Sequence, residues 1–178
     1  MKKKAAFYFT QMDSPLGVLT LVASEKGLCN VQFGCAKRVL PEVKAWMKKH
    51  SLKQELIEDD AQVSEPRRQL DAYFRGERKT FDLSLDVYGT PFQKKVWEQL
   101  RIIGYGKTVT YKELAHEIGA PKAVRAVGGA NNKNPVPIII PCHRVIGSNG
   151  SLVGYGGGLE KKEYLLHLEK NHCLQVTV

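Results

Sequence analysis

The 178-residue chain has no apolar run approaching the roughly 20 residues that a membrane-crossing helix needs. It also lacks a signal-peptide core: after the basic start Met1-Lys2-Lys3-Lys4, the segment Phe7 to Asp13 turns polar within a few residues. A cytoplasmic protein with no membrane partner is expected. Cysteine is sparse, and four unevenly spaced residues do not form the dense framework of a secreted disulfide scaffold, so reduced thiols are expected. Cys29 and Cys35, taken with His172 and Cys173, fit no CxxC or HxxxH spacing, which argues against bound metal. Gly154-Tyr155-Gly156-Gly157-Gly158 lacks the Gly-Lys-Ser/Thr ending of a phosphate-binding loop, so no nucleotide cofactor is expected. Negative charge is missing locally: Ile118 to Leu159 contains no Asp or Glu, in a chain that has 18 of them.

That gap matters because the chain is basic, with 27 Lys and Arg and a formal charge of +9. The excess is spread evenly: residues 1–85 hold 15 cations against 11 acids, and residues 86–178 hold 12 against 7. The total says little, but the acid-free stretch carries Lys122, Arg125, Lys133 and Arg144, and a polyanion could approach it without repulsion. A hydrophobic content of 43% with a mean hydropathy of −0.30 is that of a globular protein, long enough for one ordinary domain or two small ones.

The first part of the chain reads as strands followed by helices. Phe7 to Met12, Val18 to Ala23 and Leu28 to Phe33 are apolar or β-branched runs, separated by the turn residues Ser14-Pro15-Leu16-Gly17 and Glu25-Lys26-Gly27. Pro41 and Pro66 each suggest the first turn of a helix, and Gly76 closes the second. Phe81 to Val87 alternates with period two, as a half-buried strand or an extended linker would. Around Tyr88-Gly89 the style changes. Thr90-Pro91-Phe92-Gln93 and Thr110-Tyr111-Lys112-Glu113 are capping boxes, each leading into an apolar face. Gly119 ends the second of these helices, and Ala120-Pro121 opens another, rich in small residues through Ala130. Two short helices joined by a tight turn match the helix-turn-helix outline, though an ordinary pair of core helices fits too.

The segment from Asn134 to Ile146 carries the candidate chemistry. Ile138 to Ile140, fenced by prolines, reads as a buried extended run that delivers Cys142 to a fixed place. A thiol is a strong nucleophile only as thiolate, and His143 and Arg144 beside it offer a base and positive potential that would lower its pKa. Neighbours on an extended strand face opposite ways, so His143 is expected to reach Cys142 through a bridging water. A histidine base needs an orienting carboxylate. Glu160, Glu163 and Glu169, on the helix after the glycine loop, are the candidates.

Pro141-Cys142-His143-Arg144-Val145 resembles the O6-alkylguanine-DNA alkyltransferases, also called methylated-DNA–protein-cysteine methyltransferases. The resemblance extends to Thr90-Pro91-Phe92-Gln93, Val96-Trp97, Tyr111, Arg125-Ala126-Val127-Gly128, Asn134-Pro135, Gly157-Gly158 and Lys162-Glu163, in the family's order. It implies an α+β protein. Residues 1–85 would form a small ribonuclease H-like sheet-and-helix domain, and residues 86–178 a mainly helical domain with a helix-turn-helix and the active site. It further implies direct repair: an O6-alkylated guanine, and in some cases an O4-alkylated thymine, leaves the duplex and its alkyl group moves once to Cys142, without cofactor or metal.

Carried over residue by residue, the resemblance makes Glu163, His143 and a water the path for the Cys142 proton, with Asn134 holding the turn. Tyr111 would donate to a guanine ring nitrogen. The backbone at Tyr155-Gly156 would bind O6, and the carbonyls of Cys142 and Val145 would accept from the exocyclic amine. Arg125 would enter the base stack, with Ala126, Gly128, Thr110 and Lys122 at the minor groove of double-stranded DNA. The protein would act as a monomer wherever the DNA is. Gly156 stands where some relatives carry serine, and Asn131-Asn132-Lys133 falls where the family varies. Two rivals differ in kind. A non-enzymatic damage binder of the alkyltransferase-like type has tryptophan at the reactive position, which Cys142 argues against. A Cys-His-Glu hydrolase would turn over repeatedly and would have no use for Arg125.

Overall fold

The structure is a computed structural model that describes residues 6–174, so the basic Met1-Lys2-Lys3-Lys4 start lies outside the described residues. The chain divides into two compact units, Met1–Tyr88 and Gly89–Val178. No helix among the described residues is long and apolar enough to cross a membrane.

In the first unit, β1 (Ala6–Met12), β2 (Leu19–Ser24) and β3 (Gly27–Phe33) form an antiparallel meander. The first connection is a tight turn in which the Gly17 N–H donates to the Ser14 carbonyl at 2.9 Å, with Gly17 at φ +91°. β4 (Glu55–Glu58) adds in parallel on the other side of β1, giving the order β3-β2-β1-β4. β1 is buried on nearly its whole length, as befits an inner strand. α1 (Ala36–Lys49) follows β3, and α2 (Ser64–Phe74) follows β4. Phe7, Phe9, Val22 and Cys29 from the sheet pack with Ala36, Val43 and Met47 from α1.

Pro41 does not start its helix. α1 begins five residues earlier because Ala36, Val39, Val43 and Met47 form one buried stripe and Gln11 Oε1 accepts from the Ala36 N–H at 2.6 Å. Pro41 faces solvent in the second turn, where water can take the Lys37 carbonyl that its missing N–H leaves over. Phe81 to Val87 is extended, with one isolated bridge from Leu85 to Leu28.

The second unit is mainly helical: α3 (Pro91–Leu100), α4 (Tyr111–Glu117), α5 (Val124–Asn132) and α6 (Leu159–Leu174). Both capping boxes form. Thr90 Oγ1 accepts from the Gln93 N–H and Gln93 Oε1 from the Thr90 N–H; Thr110 and Glu113 do the same. α5 begins at Val124, not at Ala120-Pro121, whose residues are used in the turn between α4 and α5. Trp97 on α3 is buried, and its Nε1–H donates to the Ala130 carbonyl at 2.9 Å, which fixes α5 against α3. A two-stranded parallel ladder joins β5 (Val109–Thr110) to β6 (Val145–Ile146), pairing Val109 with Val145. It brings the start of α4 beside the end of the Cys142 segment, which are far apart in sequence.

Candidate active site

Cys142 is delivered by a turn, not by an extended run. Pro137 and Ile140 form an isolated bridge across Ile138-Ile139, and Ile138 sits at φ +75°. A β-branched residue is strained there, so the surroundings must hold it. Asn134 supplies the hold: its Nδ2–H donates to the Ile140 carbonyl at 2.8 Å, and its Oδ1 accepts from the Val136 N–H at 2.9 Å. The Ile140 N–H closes onto the Val136 carbonyl and the Cys142 N–H onto the Ile140 carbonyl. Cys142–Arg144 then forms one turn of 3-10 helix, so Cys142 and His143 are not strand neighbours on opposite faces.

Cys142 is 4% exposed. Burial pushes its thiol up to about 11, against the opposing influence of the Asn134 amide and the Lys162 charge. The thiol is therefore not primed as a thiolate by His143 and Arg144, and it needs a base at the moment of reaction. Burial lowers the pKa of His143, although Glu169 works the other way. His143 is fully buried; its Nε2 lies 2.8 Å from Glu169 Oε1, while Nδ1 meets no hydrogen-bond partner among the described residues. An ionised Glu169 can only accept, so Nε2 carries the hydrogen and Nδ1 keeps its lone pair.

The carboxylate that meets His143 is thus Glu169. Glu163 is exposed on α6, away from the buried face formed by Lys162, Leu165 and Glu169. Glu169 is itself 0% exposed. It accepts from His143, from Arg144 Nε and Nη2 and from the Gly106 N–H at 3.0 Å. Burial raises its carboxyl, but the hydrogen bonds from His143 and Arg144 prevail and hold it at about 2. Arg144, at 6% exposure, also donates to the Ile103 carbonyl. Its charge is used internally, which removes it from the cations that the acid-free stretch could offer to a polyanion.

Opposite this relay stands Tyr111 at the start of α4. Its hydroxyl lies 3.0 Å from the carbonyls of both Val153 and Gly154. Burial, and then the Cys142 thiol, raise its pKa, so it stays a proton donor. Lys162 is fully buried and donates from Nζ to the carbonyls of Val145 at 2.5 Å and Val153 at 2.7 Å, joining β6, just after the nucleophile's turn, to the start of the glycine-rich loop. Burial lowers its pKa to about 8. Tyr155 is buried in that loop and Gly156 is exposed. A Cβ at Gly156 would lie 3.3 Å from the Asn132 carbonyl, a close fit against α5.

On α5, Arg125, Ala126 and Gly129 are exposed and Gly128 partly so, with Lys122 exposed just before the helix, while Val127 and Ala130 face inward. Thr110 caps α4, and its side chain is occupied by Glu113. Asn131 was missed as a site residue. It is 1% exposed, with Nδ2 at 3.4 Å from the Cys142 carbonyl and 3.5 Å from the Tyr111 hydroxyl.

Comparison with known proteins covers both units. Residues 7–87 match the family model for the 6-O-methylguanine DNA methyltransferase ribonuclease-like domain, and residues 91–171 that for the DNA binding domain of the same enzyme. The chain is 48% identical over 162 residues to the methylated-DNA–protein-cysteine methyltransferase of Methanosarcina acetivorans, covering 91% of this chain and 97% of that one. It is 45% identical over 163 residues to the protein of the same name from Mycobacterium leprae, covering 92% of each. The crystal structure of Mycobacterium tuberculosis OGT in complex with DNA superposes with a TM-score of 0.78 at 42% identity, over 93% of this chain and 94% of that one.

Proposed function

The chain belongs to the 6-O-methylguanine DNA methyltransferase family, and from that membership we propose how its own residues carry out the reaction. The protein binds DNA and repairs alkyl damage by moving the alkyl group onto a cysteine. Cys142 is that cysteine. The observation that carries the assignment is the buried thiol on one 3-10 turn with a histidine whose Nε2 is engaged by Glu169 and whose Nδ1 is left as a base.

The substrate is O6-alkylguanine in duplex DNA, turned out of the stack through the minor groove, with Arg125 filling the gap and Ala126, Gly128, Thr110 and Lys122 along the groove. Residues 86–178 hold this machinery, and the protein works as a monomer wherever its DNA lies. O4-alkylthymine is a second substrate. In the reaction, a water passes the Cys142 proton to His143 Nδ1, and the charge on the ring is balanced by Glu169. The sulfur attacks the alkyl carbon, a C–S bond forms as the C–O6 bond breaks, and the electron pair stays with the base. Tyr111, exchanging its loop carbonyl acceptors for the base, gives its proton to a guanine ring nitrogen as the base leaves and regains one from solvent. The N–H groups near Tyr155-Gly156 bind O6, and the carbonyls of Cys142 and Val145 accept from the exocyclic amine. The product is a thioether, which water has no carbonyl to attack, so each molecule acts once.

The test is the intact mass of the protein after incubation with a duplex carrying one O6-methylguanine. The expected result is gain of one methyl group per molecule, mapped to the Cys142 peptide, and no further repair when more substrate is added. Repeated turnover, or an unchanged mass on bound DNA, overturns the reading.

The pH profile checks the relay. His143 must be neutral to accept the proton, and burial lowers its pKa from the ordinary 6.5. The single-turnover rate is expected to fall on the acid side only below pH 6.5 and to show no inflection near 9, the ordinary thiol value, because Cys142 lies at about 11. An acid limb centred above 6.5 contradicts the neutral base.

A further inference from the structure

Asn131 lies between the two groups that would frame a flipped guanine. Its amide Nδ2 makes only long contacts, 3.4 Å to the Cys142 carbonyl and 3.5 Å to the Tyr111 hydroxyl. Its Oδ1 is buried and has no hydrogen-bond partner among the described residues. A buried acceptor without a donor is costly, and such groups in folded proteins mark a place where something else binds. The side chain is 1% exposed, so a base reaches it only as the groups beside it, the Cys142 carbonyl and the Tyr111 hydroxyl, part to admit the ring.

We infer that Asn131 is a specificity-determining residue whose side-chain carbonyl shares, with the adjacent Cys142 carbonyl, one of the two hydrogens of the flipped base's exocyclic amine, the other going to Val145. The inference rests on the alkyltransferase reading and deepens it. Alkylation at O6 removes the hydrogen from the adjacent ring nitrogen, so O6-alkylguanine presents ring acceptors and one N–H donor group, the amine. That amine sits on the carbon next to the ring nitrogen that faces Tyr111, and it also faces the Cys142 carbonyl. Asn131 contacts both groups, so its amide adjoins the amine in any pose that satisfies them. O4-alkylthymine has acceptors at O2 and the ring nitrogen and no N–H donor at all. Bound in the same pocket, it leaves Oδ1 unsatisfied. The asymmetry is the kind that gives strong discrimination, because the disfavoured substrate strands a polar group of the protein.

The experiment measures single-turnover methyl transfer from two duplexes, one with O6-methylguanine and one with O6-methylhypoxanthine, which is the same base without the amine. Wild-type protein is expected to prefer the amine-bearing base. In Asn131→Leu the ratio of the two rates is expected to fall by roughly tenfold, the loss of one hydrogen bond. With O4-methylthymine as a third substrate, the variant loses little. If both rates fall together and the ratio is unchanged, Asn131 only supports the fold and the inference is overturned; equal wild-type rates on the two duplexes overturn it as well. Asn131→Ala serves the same comparison should the leucine variant fail to fold by circular dichroism. Absence of transfer from both duplexes by the wild type defeats the alkyltransferase reading itself, an outcome readily told from an unchanged ratio.

Discussion

Cys142→Ala is expected to abolish methyl transfer completely while leaving lesion-containing DNA bound. The fold survives because one sulfur atom is removed from a turn held by Asn134, a loss on the order of 1 kcal/mol. No other thiol can take over. Cys29 is buried in the first unit, where burial raises it to about 12, and Cys35 and Cys173 are exposed, away from the turn that carries His143. The check is an intact-mass measurement beside a gel-shift titration on the same methylated duplex. Residual methylation at any other cysteine would falsify the assignment of Cys142 as the sole acceptor, and loss of DNA binding with retained fold would show that the thiol also holds the lesion.

Glu169→Ala is expected to be nearly as damaging, and for two reasons at once. It leaves Arg144 buried without its counter-charge, which costs about 3–5 kcal/mol in comparable cases, and it strips His143 of the group that fixes its tautomer. The pH dependence carries the same signature. The Glu169 carboxyl is at about 2 in the folded protein against an ordinary 4.5, so its stabilising contribution is fully present above pH 4.5 and is lost as pH falls towards 2. That contribution is on the order of 3 kcal/mol. Urea unfolding of the wild type should therefore show a steep loss of stability over that acid window, and the variant a shallower one. Glu163→Ala, on an exposed face, should alter stability by no more than about 0.5 kcal/mol. Were the relay to run through Glu163, that variant and not Glu169→Ala would lose transfer.

Features decided by a few adjacent residues were legible in the chain. The capping boxes at Thr90 and Thr110 and the turns of the first meander depend on local hydrogen bonds, and they appear as read. Features decided by distant partners were not. β5 and β6 have two residues each and exist only because the chain returns to pair Val109 with Val145. The isoleucines at 138–140 looked extended because apolar β-branched residues favour strands, yet the Asn134 clamp bends them into a turn with Ile138 left-handed. Glu169 stood among three candidate carboxylates and was not singled out, for a related reason. The buried face of α6 consists of Lys162, Leu165 and Glu169, so two of its three members are charged and no apolar stripe marks it. The signal was there in their spacing of three and four residues, together with an arginine beside Cys142 in a stretch with no acid to pair it.

The polar inner face of α6 also bears on how the protein assembles. A helix docked by grease alone can slide by a residue or rotate a little at small cost, since one methyl group replaces another. α6 has no such latitude: a slip strands a buried ammonium and a buried carboxylate together, and only the register that returns Lys162 to Val145 and Val153, and Glu169 to His143 and Arg144, relieves both. Near-native arrangements are thereby excluded, and docking of the last helix becomes all or none. The same contacts that complete the fold orient His143, so the base is in place as soon as the last helix has docked, although the thiol keeps its proton until the reaction.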